Sequence, residues 1–333
     1  MKIALCVFTS VAVLLMPAAA TACPGHDVTG TMYFVSPTGS DTNSGTSPAN
    51  AWRTVAKVNS APLNPGDAVM FKGGATFSDT YLGPSRSGTA SARIVYASYG
   101  PGRASLPQGI YLNSVNGLAF EDLAISGPAA GLQASGSGTG ASNITIDGLS
   151  ISNVGIGIQS AHASDTNWII RNNTISQTGD SGMILLGSTF SVTGNQITDT
   201  GTNTAITYGK HGIYLKASGA TVTGNTIRRF ASNGVSARYR NSVVDNNTIS
   251  NGPIGIAWFQ NDPTAGTSYW RNNQISGTTS ADIYVSGSDS AGSTRESFVI
   301  TGNTLSRISG VCMDLQPTTG TYTVNSNACT LGG

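Results

Sequence analysis

The sequence predicts an all-β chain wound as a single-stranded right-handed parallel β-helix. Three observations carry that expectation. Charged residues make up 10% of the chain and Gly is abundant at 42, while helix formers are scarce and Glu occurs only as Glu121 and Glu296. An Asn-x-Ile signature preceded by β-branched strands recurs through the last two thirds of the chain. A second apolar strand lies about a dozen residues before most copies of it, as in Gly212-Ile213-Tyr214-Leu215 and Gly234-Val235-Ser236-Ala237. Short strands at such a period cannot bury an apolar face alone, so they must stack as coils and share one core.

Residues 1–22 read as a secretory leader: Lys2, an apolar run, then small residues ending Ala20-Thr21-Ala22. The run is too short for a membrane span. Its removal would take Lys2 away and cancel the net charge of +1, which disfavours nucleic acid as a partner of the whole surface. Cys23 would then come first, which leaves a lipoprotein as a minor alternative to a secreted or periplasmic protein. Cys312 and Cys329 stand in what read as the last two strands of the chain. In an exported protein they form either a disulfide or two buried thiols. No Cys/His cluster has zinc-ligand spacing.

Residues 23–105 read as a cap and first strands, continuous with coils over 106–333. Tyr33-Phe34-Val35 is a strand, 51–58 has helical apolar spacing, and Ala68-Val69-Met70-Phe71-Lys72 is a strand after the Pro65-Gly66-Asp67 turn. The helix is expected to cover the open N-terminal end of the solenoid. The repeat is then read at Asp122, Asp147, Asn173, Asn195, Asn225, Asn247, Asn273, Asn303 and Asn327. Stacked amides can hydrogen-bond up and down such a column. A sandwich or propeller fits less well, since coil length follows the Asn repeat and not hairpin turns.

The charge is uneven. No Asp or Glu lies between Asp199 and Asp245, whereas Lys210, Lys216, Arg228, Arg229, Arg238, Arg240 and His211 do. Equating Asn225 with Asn247 places Lys216 against Arg238, with Tyr214 against Ser236. All four point outward from one sheet, about 4.8 Å apart from coil to coil. Like charges stacked in this way are mildly destabilising, so an anionic ligand explains them better than the scaffold does. A cationic neighbour favours the neutral form of a lysine, and a neutral lysine is a general base. An arginine keeps its charge and pairs with a carboxylate. The pair therefore suits removal of the proton beside a uronic-acid carboxylate. Tyr214 and His211 stand near enough to relay that proton. Lys210, Arg240, Tyr239, Arg228 and Phe259 are candidate substrate contacts, Phe259 by stacking on a sugar ring.

At Ile213-Tyr214-Leu215-Lys216-Ala217-Ser218 and Val235-Ser236-Ala237-Arg238-Tyr239-Arg240 the sequence resembles the β-helix polysaccharide lyases. It is most similar to polysaccharide lyase family 6, the alginate lyase and chondroitinase B type. The resemblance implies a pectate-lyase-like solenoid, Lys216 as base, and Arg238 as acid or charge neutraliser. It also implies an anionic polysaccharide substrate, such as alginate, a glucuronan, a glycosaminoglycan or pectate, cleaved by a monomer through β-elimination. Members of that family commonly hold calcium through carboxylates just before the lysine. Tyr208-Gly209-Lys210-His211 offers none, so no cofactor is required, with calcium left as the alternative. Three alternatives use the same fold: a glycoside hydrolase, a uronate C5-epimerase, and a non-catalytic glycan-binding β-helix. The hydrolase needs two carboxylates across one cleft, and the middle coils supply Asp180, Asp245, Asp262 and Asp282.

Overall fold

The computed structural model describes residues 28–127, 129–207, 209–289 and 292–331. The expected leader 1–22, Cys23 and Tyr208 lie outside the described residues. The chain is an all-β parallel solenoid. One face is a 12-stranded sheet running from Met32–Val35 through Ile169–Arg171, Ser191–Thr193, Thr221–Thr223 and Val243–Asp245 to Tyr322–Asn325. We term it ladder one. A 17-stranded sheet bends at a corner into two further ladders. Ladder two holds Thr174–Thr178, Gln196–Thr200 and Thr226–Phe230, and ladder three holds Met183–Ser188, Ile213–Ser218 and Asn233–Ala237. Thr248–Trp258 and Gln274–Val285 each run across both.

Alternation sets the core. Ile197, Ile227 and Ile249 stack inward on ladder two, Val192, Val222 and Val244 on ladder one, and Ile213, Val235 and Ile256 on ladder three. All are fully buried in one cluster. Each such side chain stabilises the fold by about 2 kcal/mol through loss of water contact. The corner between ladders two and three needs glycine. A Cβ on Gly234 would stand 2.4 Å from Ile249 Cγ2, and one on Gly212 the same distance from Ile227 Cγ2. The isoleucine of the following coil fills the space.

The asparagine column sits between ladders one and two. Asn225 Nδ2 donates to Asn247 Oδ1 at 3.0 Å and to Val192 O at 2.9 Å. Its Oδ1 accepts from Asn195 N and Nδ2, both at 2.9 Å. The pattern repeats from Asn173 to Asn327. It does not include Asp147 or Asp122, which the sequence places in the repeat. Asp147 is paired with Arg171 on ladder one, and Leu149 takes the column position, its N–H donating to Asn173 Oδ1. The physical marker is the residue just before the column. It is left-handed in every coil, at Asn172, Gly194, Gly224, Asn246, Asn272 and Gly302, and at Gly148 before Leu149. Asp122 is itself left-handed and precedes Leu123 in the same way.

The N-terminal helix spans Val55–Ser60 and not 51–58. Trp52 bridges Val35 in extended conformation and stacks on Tyr33, so the helix starts only after Thr54, whose Oγ1 accepts from Lys57 N. Val55 and Val58 enter the main core, which covers the first coil. At the other end Cys312 and Cys329 are disulfide-bonded, joining Val311–Leu315 to Ala328–Leu331. Tyr322–Asn325 lies between these strands, so they are not consecutive. Val324 and Leu331 of the last coil are exposed.

Candidate functional site

Ladder three carries the site. Ile213 pairs with Val235, Tyr214 with Ser236 and Leu215 with Ala237. Arg238 N donates to Leu215 O, so the register continues and sets Arg238 beside Lys216, as the sequence implies. Inward Ile213, Leu215, Val235 and Ala237 are fully buried, whereas Tyr214, Lys216 and Arg238 are half-buried and face out.

Aromatic rings brace the cations. Lys216 Nζ lies 5.5 Å from the Tyr214 ring centroid, and Arg238 Cζ lies 5.3 Å from the same ring. Arg238 Cζ also lies 4.5 Å from the Phe259 ring, which in turn meets Tyr284 at 5.4 Å. Tyr214 and Phe259 thus hold Arg238 between two π faces. Asn261 Oδ1 accepts from Arg238 Nη1 at 3.4 Å. Among the described residues Lys216 has no carboxylate within salt-bridge distance. Ser236, outward by parity and paired with Tyr214, is nonetheless fully buried.

His211 is 5% exposed, and its ring stands 4.8 Å from Tyr214. Burial first, and the Arg238 guanidinium second, push its imidazole down to about 4, against the pull of Asp180. It is therefore neutral at pH 7 and can accept a proton but has none to spare as imidazolium. Its Nδ1, Ser236 Oγ and both amide atoms of Gln260 are buried without a hydrogen-bond partner. Atoms of the same kind occur elsewhere in the fold, at Thr200, Arg271 and Glu296, so they do not by themselves mark a ligand.

Other expected contacts separate from this cluster. Arg228 is exposed on ladder two, a different face, and its neighbour Arg229 is bound to Asp199 at 2.6 and 2.8 Å. Arg240 turns toward buried Asp262 at 3.3 Å and is no free cation. Tyr239 falls past the end of Asn233–Ala237 and makes none of the ring contacts above. Lys210 is left-handed, and its N–H donates to Asp180 Oδ1 at 2.9 Å.

Asp180 is a residue that sequence reasoning missed in this place. It sits one coil below Lys210 and also accepts from Ser181 Oγ at 2.8 Å. Equating Gly182 with Gly212 would have found it. Of the other carboxylates, Asp245 faces out on ladder one and binds Arg271 at 3.0 Å. Asp282 is fully buried against Thr278, and burial raises its carboxyl. Glu296 is fully buried as well. It accepts from Asn241 N and Ser268 Oγ, and burial raises its carboxyl.

The fold and this face define a β-helix protein with an outward cationic and aromatic site. The family described as right-handed beta helix region matches residues 200–331. The family described as periplasmic copper-binding protein (NosD) matches residues 89–265, more than half of the chain, and the chain belongs to that family. A lacto-N-biosidase of Bifidobacterium longum subsp. longum is 38% identical over 96 residues, which cover 28% of this chain and 6% of that protein. The chain thus corresponds to a small fraction of that relative's length. The solved GH136 lacto-N-biosidase of Eubacterium ramulus superposes with a TM-score of 0.67 at 15% identity, over 91% of this chain and 68% of that one. A pectate lyase gives 0.57 at 14% identity, over 87% and 79%. Identities this low speak for a shared fold.

The family description raises copper. Among the described residues no group of three or more His, Cys, Asp or Glu side chains comes together. His211 is packed on Tyr214, His162 Nδ1 accepts from Ser164 N, and Cys312 and Cys329 are joined to each other. The described side chains do not fit a copper site, and no step below runs through one. Among the described residues no helix is long and apolar enough to cross a membrane.

Proposed function

We propose that the protein is an exported enzyme acting on an acidic polysaccharide, and that it cleaves by β-elimination at Lys216 and Arg238. The observation that carries this reading is the Lys216–Arg238 column, two adjacent cations held outward by Tyr214 and Phe259 on an open β-helix face. The likeness of fold to a pectate lyase and to lacto-N-biosidases supports action on a glycan. The Cys312–Cys329 disulfide supports an oxidising compartment outside the cytoplasm.

In the proposed step Arg238 pairs with the uronate carboxylate and spreads the charge that builds up on it. Lys216 acts as the base and takes the C5 proton. The C5–H electron pair becomes the C4–C5 double bond as the C4–O bond breaks. The departing oxygen takes a proton from the Tyr214 hydroxyl, and the proton now on Lys216 passes back to the tyrosinate, which restores both groups; neutral His211 beside that ring is not the acid. Arg238 supplies the neutralising charge, so the reaction is expected to proceed in chelator.

A second reading, hydrolysis, is favoured by the lacto-N-biosidase likeness and by the approach of Asp180 to His211. One assay separates the two. The protein is incubated with alginate, polygalacturonate, glucuronan and hyaluronan, and both ultraviolet absorbance of the new double bond and reducing ends are followed. Elimination raises both signals. Reducing ends without absorbance would replace the lyase reading by hydrolysis.

A further inference from the structure

We propose that the outward face of ladder three is a long glycan track, with a distal sugar-stacking site at Tyr81 and Tyr111. The class of ligand rests on the acidic-polysaccharide reading above. The placement rests on separate observations.

The first is register. Tyr111 pairs with Gln133, Gln133 with Gln159, Gln159 with Ile184, and Ile184 with Tyr214. These residues form one outward column that runs straight up the solenoid into the cationic site. Four strand spacings put Tyr111 about 19 Å from Tyr214. Gln133 and Gln159 are half-buried, and among the described residues their amide ends meet no hydrogen-bond partner. Amides of this kind offer both donors and acceptors to sugar hydroxyls.

The second is how the tyrosines are held. Tyr81 is 49% and Tyr111 36% exposed, and their rings meet edge to face at 5.8 Å. The backbone beside Tyr81 is pinned from both directions. Asn59 of the capping helix donates from Nδ2 to Tyr81 O and accepts from Gly83 N at Oδ1, both at 2.9 Å, while its own carbonyl accepts from Ser85 Oγ. Leu82 anchors the segment in the core and bridges Ile110. The Tyr81 ring folds over Gly83, where a Cβ would stand 2.7 Å from the ring. Two exposed aromatic rings on a fixed backbone lose little freedom when a sugar stacks on them.

The third is the fit to one occupant. The column runs from a ring through two amides and Ile184 to a second ring, and it meets Lys216 and Arg238 at that end. A linear chain of sugars bearing carboxylates matches that order of stacking, hydrogen bonding and charge.

Affinity electrophoresis of the full chain in gels containing alginate or polygalacturonate tests this, beside calorimetry with trimers of the same uronates. A trimer is too short to reach from Tyr214 to Tyr111. The preference for polymer over trimer is expected to fall about tenfold in Tyr81→Ala/Tyr111→Ala. Tyr111→Trp, which keeps a ring, is expected to retain it. An unchanged preference in the double variant, where polymer binding by the wild type still depends on Lys216, would overturn the distal site alone. No retardation of the wild type in either gel would overturn this site and the parent reading together. A shift in gel-filtration volume on mutating the two tyrosines would assign them to contact between copies of the chain and defeat the proposal.

Discussion

The asparagine column and the Lys216–Arg238 column climb the same solenoid one face apart, and they treat buried polar groups in opposite ways. In the first, each amide is fully satisfied: Asn225 gives three hydrogen bonds through Nδ2 and takes two at Oδ1. In the second, His211 Nδ1, Ser236 Oγ and the Gln260 amide are buried without partners. Buried atoms without partners also occur away from that face, at Thr200 Oγ1, Arg271 Nε and Glu296 Oε2. The firmer difference is in use: the asparagine amides bond coil to coil, whereas Lys216 and Arg238 are braced by rings and face outward.

That contrast can be broken most forcefully at Asn225. Asn225→Ala removes those bonds, leaves Asn195 N buried and unpaired, and takes one partner each from Asn195 Nδ2 and Asn247 Oδ1, at a cost of about 4 kcal/mol. Chemical denaturation measures it. A loss below about 1 kcal/mol would mean that the column is ornamental.

Acid should strike the second column first. The unfolded chain protonates His211 near its ordinary 6.5, whereas the folded one does so only at about 4. Between those values the unfolded state binds more protons, so stability rises with pH across the window and falls by roughly 3 kcal/mol in all as pH drops through it. Glu296 acts the other way. Its raised carboxyl favours the fold at low pH, and that contribution fades as pH rises through the folded value. Melting temperature against pH should therefore lose most of its slope between 4 and 6.5 in His211→Gln. An unchanged slope would place the acid sensitivity elsewhere.

The smallest expected effect is at the chain end. Reduction of Cys312–Cys329, 17 residues apart, relaxes a constraint worth at most about 3 kcal/mol. The last coil is exposed, so the loss should stay there. Hydrogen exchange should quicken in 304–331 on reduction and not at Ile213–Ser218.

The sequence made the solenoid legible because its corners are chemically specific. Asn225 and Asn247 gave a register that places Tyr214, Lys216 and Arg238 on one face, and the observed pairing agrees. It misread Asp147 because Asp-Gly-Leu imitates Asn-x-Ile as a string. The left-handed residue falls at Gly148, which sends the column position to Leu149. Contacts between coils were harder to read. Asp180 meets Lys210 across 30 residues, and Glu296 meets Asn241 across 55. Ser236 is fully buried although its parity points outward, which alternation alone does not tell. Arg240 reads as a free cation until Asp262 is placed beside it.

The central claim is that Lys216 is the base at an otherwise ordinary coil, and one measurement addresses it directly. Ultraviolet absorbance of unsaturated product is followed for the wild type and Lys216→Ala on whichever acidic polysaccharide the wild type cleaves, with melting temperature recorded for both. The expected result is a loss of about a thousandfold in rate at an unchanged melting temperature. Full activity in Lys216→Ala would contradict the assignment.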